Sequence, residues 1–204
     1  MGKFHKSILV VGISGVSNGG KTTLANHLKE YFGWKQVHVK VLHQDDYYKE
    51  EVDIPVNKAT GILNWDVLEA FDCKSFVENF DSALSDLKAL AEDSNDIENG
   101  VSGFQPKTSV LIIEGILLYN QDVVNKWMDK KYFLTLPYEE AKRRRKLRVY
   151  EPPDVPGMFD LSVWPMYLKH VDEIREVHKI SGLQSKDAVF AFVKQDLKHA
   201  ITKT

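Results

Sequence analysis

Short apolar runs alternate with amphipathic stretches along this chain, and their order predicts a repeating strand–helix pattern. Ile8 to Ile13 is short, continuous and rich in β-branched residues, as in a strand buried on both faces. Lys21 to Phe32 follows with helical spacing and stops at Gly33. Val37 to Leu42 reads as a second strand, running out into His43-Gln44-Asp45-Asp46. Residues 47–64 show neither period and carry Pro55, Asn57 and Gly61, so they read as loop. A long helix is expected from Asp66, with Val67, Leu68, Phe71, Phe76, Val77, Phe80, Leu84, Leu87 and Leu90 as its apolar stripe. Residues 91–107 are rich in Asp, Asn, Ser and Gly and read as a mobile surface connection. Val110 to Ile113 is a third strand ending in Glu114-Gly115, and Tyr132 to Leu136 a fourth. Tyr138 to Val149 reads as a strongly basic helix. Tyr150 to Phe159 is broken by Pro152, Pro153, Pro156 and Gly157. A helix over Asp160 to Glu176, a short strand over Val177 to Ile180 and a helix over Lys186 to Ile201 complete the pattern. This order predicts one α/β domain over residues 1–204, a parallel sheet of about five strands between helix layers, joined by right-handed crossovers.

Composition narrows the partners. Hydrophobic residues at 43% and charged residues at 27% are ordinary for a globular protein. A formal net charge of -2 provides no basic field for nucleic acid or an anionic membrane. The single cysteine, Cys73, excludes an intrachain disulfide and points to a reducing compartment: the cytoplasm, with a nuclear share left open. The apolar run behind Lys3 and Lys6 ends at Gly12, too short for a signal peptide, and no run approaches a membrane span, so no membrane partner is expected.

The stretch GISGVSNGGKTT carries the first chemistry. Gly15, Gly20, Lys21 and Thr22 fit the spacing G-x-x-x-x-G-K-[ST] between a strand and a helix. Gly15, Val16, Ser17, Asn18, Gly19, Gly20, Lys21, Thr22 and Thr23 are therefore expected to hold a nucleoside triphosphate. Backbone N–H groups and a helix N-terminus would face its phosphates. Lys21 would reach the β- and γ-phosphates, and the Thr22 hydroxyl would ligate Mg²⁺. Asp45 and Asp46 follow the second strand at the sheet edge where such folds bind ligands, and one of them would accept the proton of an acceptor hydroxyl. Glu114, at the end of the third strand, is a metal candidate. In the basic helix, Arg144 and Arg148 share a face, while Arg145 points about 100° away, so phosphates and a second substrate could both be reached. A solvated helix paired by Glu139 and Glu140, or an RNA patch, is the competing reading, and the near-neutral total charge counts against RNA. The histidines show no metal spacing, and Trp164, Tyr167 and Cys73 read as core. A nucleotide switch is disfavoured. NKAT at 57–60 lacks the aspartate of a guanine motif, and DVPG at 154–157 follows the basic helix rather than a strand.

With these motifs in order, the chain resembles the nicotinamide riboside kinases, P-loop kinases of small metabolites related to uridine kinases. The resemblance runs from about Ile8 to Leu197 through GISGVSNGGKTTL, QDDYYK, NWDVLEA, LIIEG, YFLTLPYEEAKRRRKLRVYEPPD and FDLSVWPMYLK. It implies transfer of phosphate from ATP, or GTP, to the 5'-hydroxyl of nicotinamide riboside and of nicotinic acid riboside, in NAD salvage. A uridine or other pyrimidine nucleoside is the alternative acceptor. Asp45 would be the catalytic base, touching hydroxyl and metal. Trp65 and Asp66 would line the nucleoside site, the ring on the nicotinamide and the carboxylate on the ribose. Arg145 would share the ribose hydroxyls, Tyr150 would cover the other ring face, and Asp154 would lie at the base end. Arg144 and Arg148, on a lid of about residues 138–159, would contact ATP and, with Lys21, balance charge. Glu114 would help hold Mg²⁺. The partners implied are small molecules alone, for a monomer or loose dimer. A cationic pyridinium suits an aromatic slot, at roughly 0.5 to 2 kcal/mol, and a ribose diol suits an Asp–Arg pair.

Overall fold

β1 (Ile8–Gly15) is buried along its whole length, and its side chains alternate between two cores. In the computed structural model, which describes residues 8–93 and 109–202, it lies at the centre of one parallel sheet. The other strands are β2 (Val39–His43), β3 (Ser109–Glu114), β4 (Lys130–Thr135) and β5 (His178–Ser181), in the order β2-β3-β1-β4-β5. Leu9, Val11 and Ile13 pack on Leu24 and Leu28 of α1 (Lys21–Trp34) and on Val193 and Leu197 of α6 (Lys186–Thr202). Ile8 and Val10 meet Phe76, Phe80 and Leu87 of α2 (Cys73–Asp93), with Tyr167 and Val171 of α5 (Trp164–Glu173) against the same cluster. Both faces are covered, which is why the central strands read as unbroken apolar runs. This is the expected P-loop kinase-like sheet between helix layers.

From β1 the chain builds β2 and β3 on one side, then β4 and β5 on the other. A strand order that reverses in this way opens a crevice at the carboxyl ends. The phosphate turn begins there, at Gly15, where φ is 135°, and an added Cβ would lie 2.2 Å from the Leu134 carbonyl oxygen. Only glycine fits that approach. Among the described residues no helix is long and apolar enough to cross a membrane.

Several boundaries differ from the sequence reading. The helix expected from Asp66 begins at Cys73. Leu68–Ala70 is a single 3₁₀ turn, and Val67, Leu68 and Phe71 pack with Ile54 and Leu117 in a separate cluster. Asp72 caps α2: its Oδ1 accepts the Ser75 N–H at 3.0 Å. Cys73 is half-buried and opens α2 rather than sitting within its core face. Leu90 is exposed. The basic helix, α4 (Tyr138–Lys146), ends before Arg148. The helix placed at 160–176 is a π turn over Phe159–Val163 that continues as α5. A short α3 (Asp122–Asn125) precedes β4. Of the connection expected at 91–107, residues 94–107 lie outside the described residues.

Candidate active site

The turn after β1 closes on itself: Val16 N–H donates to Leu134 O and Gly19 N–H to Val16 O, each at 3.0 Å. Asn18 (φ 62°) and Gly20 (φ 98°) adopt left-handed conformations, which bring the first turn of α1 back over the loop. No acidic side chain of α1 itself occupies that first turn, so the positive helix end is left available to an anion. Lys21 is 8% exposed, and its Nζ donates to Val16 O at 3.1 Å. Burial lowers its pKa, while Glu114 and Asp45 pull it back up.

Three side chains from three elements meet beneath the loop. Thr22 Oγ1 donates to Glu114 Oε1 at 2.9 Å, and His43 Nδ1 lies 2.8 Å from the same oxygen. Glu114 is 2% exposed. His43 and Glu114 are register partners at the ends of β2 and β3, so adjacent parallel strands set their side chains together. The Thr22 hydroxyl and the Glu114 carboxylate are hard oxygen donors. Among the described residues no group of three or more His, Cys, Asp or Glu could hold a metal alone. This donor set fits a small divalent cation that takes its remaining ligands from phosphate and water.

Asp45 lies just beyond β2, in the short 3₁₀ turn Gln44–Tyr47. Crowding by the protein pushes its carboxyl above the ordinary range, Lys21 opposes that rise and Glu114 adds to it. Its neighbour Gln44 is buried, with Oε1 accepting the Leu117 N–H at 3.0 Å, which holds the start of the turn. Gly115 makes room for it, since a Cβ there would sit 2.4 Å from Gln44 Oε1.

A cleft of about 1180 Å³ opens above these groups. Ser17, Asn18, Gly20, Lys21, Thr22, Thr23, Asp45, Trp65, Asp66, Arg144, Arg145, Arg148, Tyr150 and Asp154 all line it. Glu114 lies below, reached through Thr22. Gly15 and Val16 form the buried base of the loop, and Gly19 lines a second cavity of about 400 Å³ with Gln184, Ser185 and Lys186. Asn18, Gly20, Thr23 and Arg144 belong to both spaces. One wall of the large cleft is aromatic: Tyr48 stacks on Phe71 at 4.2 Å and meets Trp65 edge-on at 5.5 Å. Asp66, 9% exposed, closes that wall. Burial pushes its pKa up to about 6, against the pull of Arg145, His170 and Lys21.

The three lid arginines separate. Arg144 binds Glu140 (2.6 Å) and the Gly182 carbonyl (2.9 Å), joining α4 to the loop before α6. Arg145 forks onto Asp154 (2.6 and 2.8 Å) and reaches Ser17 Oγ at 3.2 Å. Arg148 lies past the helix end and lines the same cleft as Arg144; it is 5.1 Å from the Tyr150 ring centroid, and its charge lowers the pKa of both Lys21 and Asp45. Tyr150, expected over a substrate ring, is flanked by Arg145 (4.3 Å) and Arg148, and Asn18 Nδ2 donates to its hydroxyl at 3.0 Å. Three further residues escaped sequence reasoning. His43 carried one usable signal, its place at the end of the second strand just before Gln44-Asp45. Tyr48 lies within QDDYYK. His170, whose Nε2 meets the Asp66 carbonyl at 2.8 Å, joins the site only through tertiary packing.

A phosphate loop with a buried lysine, and a carboxylate across the cleft beside an aromatic wall, define a P-loop kinase of small molecules. Comparison with known proteins agrees. A family model described as an AAA domain matches residues 11–165. Nicotinamide riboside kinase 1 of Homo sapiens is 41% identical over 95% of this chain and 94% of its own. The Rattus norvegicus enzyme of the same name is 40% identical over 95% of this chain and 96% of its own. The crystal structure of APE1195 matches with a TM-score of 0.50 and 15% identity, covering 98% of this chain and 99% of that one, a likeness of fold alone. The chain belongs to the nicotinamide riboside kinase family, and it is a nucleoside kinase.

Proposed function

We propose that this protein transfers the γ-phosphoryl group of ATP to the 5'-hydroxyl of nicotinamide riboside, forming nicotinamide mononucleotide for NAD salvage. Nicotinic acid riboside is a second acceptor and GTP a second donor in this reading. The observation that carries it is the single cleft in which Lys21 and Asp45 face the wall formed by Tyr48, Trp65 and Asp66. An aromatic wall beside a carboxylate suits a cationic ring on a ribose diol. Asp45, with its proton affinity raised toward the working pH, aligns the 5'-hydroxyl and takes its proton. Lys21 and Arg148 balance the charge of the transferring group, and Arg144 ties the lid to the loops around the nucleotide. Arg145 exchanges its Asp154 partner for the ribose hydroxyls beside Asp66. Tyr150 leaves Asn18 to cover the ring, and Asp154 faces the base end. The nucleotide base occupies the smaller cavity near Gln184 to Lys186.

Mg²⁺ is the cation proposed here, held by Thr22 and Glu114 with Asp45 nearby. When bound it supplies charge neutralisation of the phosphates. The site is assigned to one chain, working as a monomer or loose dimer in the cytoplasm. The test is steady-state ADP release with Mg-ATP against nicotinamide riboside, nicotinic acid riboside, uridine, cytidine and no acceptor. At least tenfold higher kcat/KM for the pyridine nucleosides is expected, about 1.4 kcal/mol of transition-state preference. Asp45→Asn should lower kcat by roughly 10² to 10⁴. A preference for uridine, or near-normal kcat in Asp45→Asn or Lys21→Ala, would overturn the assignment.

A further inference from the structure

We infer that His43 is a positioning residue for the metal site: it fixes the Glu114 carboxylate so that the Mg²⁺ complex of the nucleotide, rather than the bare nucleotide, is the form held. This rests on the reading of Thr22 and Glu114 as the cation's oxygen donors. Glu114 Oε1 receives two bonds, from Thr22 Oγ1 at 2.9 Å and from His43 Nδ1 at 2.8 Å. A carboxylate only accepts hydrogen bonds, so Nδ1 carries the proton on the histidine and Oγ1 donates on the threonine. Two consequences follow. The threonine's one proton is spent on Glu114, which turns its lone pairs away from that bond and frees them for a cation. Both bonds fall on Oε1, which stops the carboxylate rotating and reserves Oε2 for the cation or its water.

Thr22 alone cannot do this. A hydroxyl on one side leaves the carboxylate free to swing about that contact. His43 approaches from β2, a different element from the α1 that carries Thr22, and the strand register holds it there. The histidine side chain is 30% exposed, whereas that of Glu114 is 3% exposed, so the imidazole is the more accessible partner of a buried acid. Outer donors that orient a metal ligand typically change metal affinity by 10- to 100-fold when removed.

The test measures binding of a non-hydrolysable ATP analogue by calorimetry, in EDTA and again in saturating magnesium chloride, on the full chain. The ratio of the two affinities reports the coupling to Mg²⁺ independently of turnover. His43→Leu should reduce that ratio about tenfold while leaving the affinity in EDTA within about twofold. His43→Asn, whose amide N–H can stand where Nδ1 stands, should restore most of the ratio. His43→Gln, with its amide one carbon further out, should not. If His43→Leu does not fold, the Asn and Gln variants decide the matter between them. An unchanged ratio in His43→Leu, an equal loss in EDTA, or an Asn variant as impaired as Leu would overturn the inference. Glu114→Gln separates the two levels. A lost ratio there with an intact one in His43→Leu refutes only the role of His43. An intact ratio in Glu114→Gln removes the metal reading itself, and the inference with it.

Discussion

Asp66 holds a negative charge that the fold resists. Its ordinary carboxyl value is 3.8 and burial pushes it to about 6, with Arg145, His170 and Lys21 only partly compensating. Each tenfold change in proton affinity is worth 1.36 kcal/mol, so ionised Asp66 destabilises the empty protein by about 3 kcal/mol. The sign follows from the raised value. The native state prefers the neutral acid, so the favourable contribution is complete below about pH 4 and is lost as pH rises to 6 and above. Asp66→Asn removes that titration. At pH 7.5 the variant should melt higher than the parent, by up to about 6 to 12 °C for a chain of this size. The difference should shrink steadily as pH falls from 7 toward 5. Nucleoside binding should move the opposite way if, as proposed, the ribose hydroxyls use this carboxylate as acceptor. The variant should lose at least tenfold in kcat/KM for nicotinamide riboside, and the parent's KM should rise below about pH 6. Calorimetric or fluorescence melts of both proteins across pH 5 to 8, beside the ADP-release assay, provide the measurement. An Asp66→Asn protein that melts at or below the parent at pH 7.5, or a difference flat with pH, would refute the argument.

Two further expectations test the scaffold. Gly15→Ala should abolish soluble expression, because φ of 135° disfavours any L side chain and the new methyl would overlap the Leu134 carbonyl. A well-folded Gly15→Ala protein would contradict the observed approach of β1 to β4. Tyr119→Phe should lower Tm by a few degrees and leave kcat/KM within about twofold. The buried hydroxyl lies 2.8 Å from both Gly12 O and Tyr132 O, and losing one such bond costs about 0.5 to 1.5 kcal/mol. Activity falling more than Tm predicts would place Tyr119 in the phosphate loop's function instead.

Local chemistry was legible from the sequence wherever neighbours in the chain are neighbours in space. The strand, glycine turn, Lys21 and helix of the phosphate loop are such a unit, and so is Glu114 at the end of an apolar strand. The parallel sheet was legible in kind though its strand order was not, because continuous apolar strands alternating with helices demand a sheet covered on both faces. Periodicity failed where it could not distinguish two cores. Val67, Leu68 and Phe71 keep step with the stripe of α2, yet they pack with Ile54 and Leu117, and Asp72 starts the helix by capping Ser75. The extent of the basic helix was over-read: α4 ends at Lys146, so Arg148 reaches the cleft it shares with Arg144 from the turn beyond the helix. Tertiary structure alone decided which charges meet. The pairing of His43 with Glu114 depends on β2 lying against β3, and the pKa of Asp66 depends on how deeply the fold buries it and on the distance to Arg145, His170 and Lys21. Both are properties of distance and exclusion of water, which residue order along the chain does not encode.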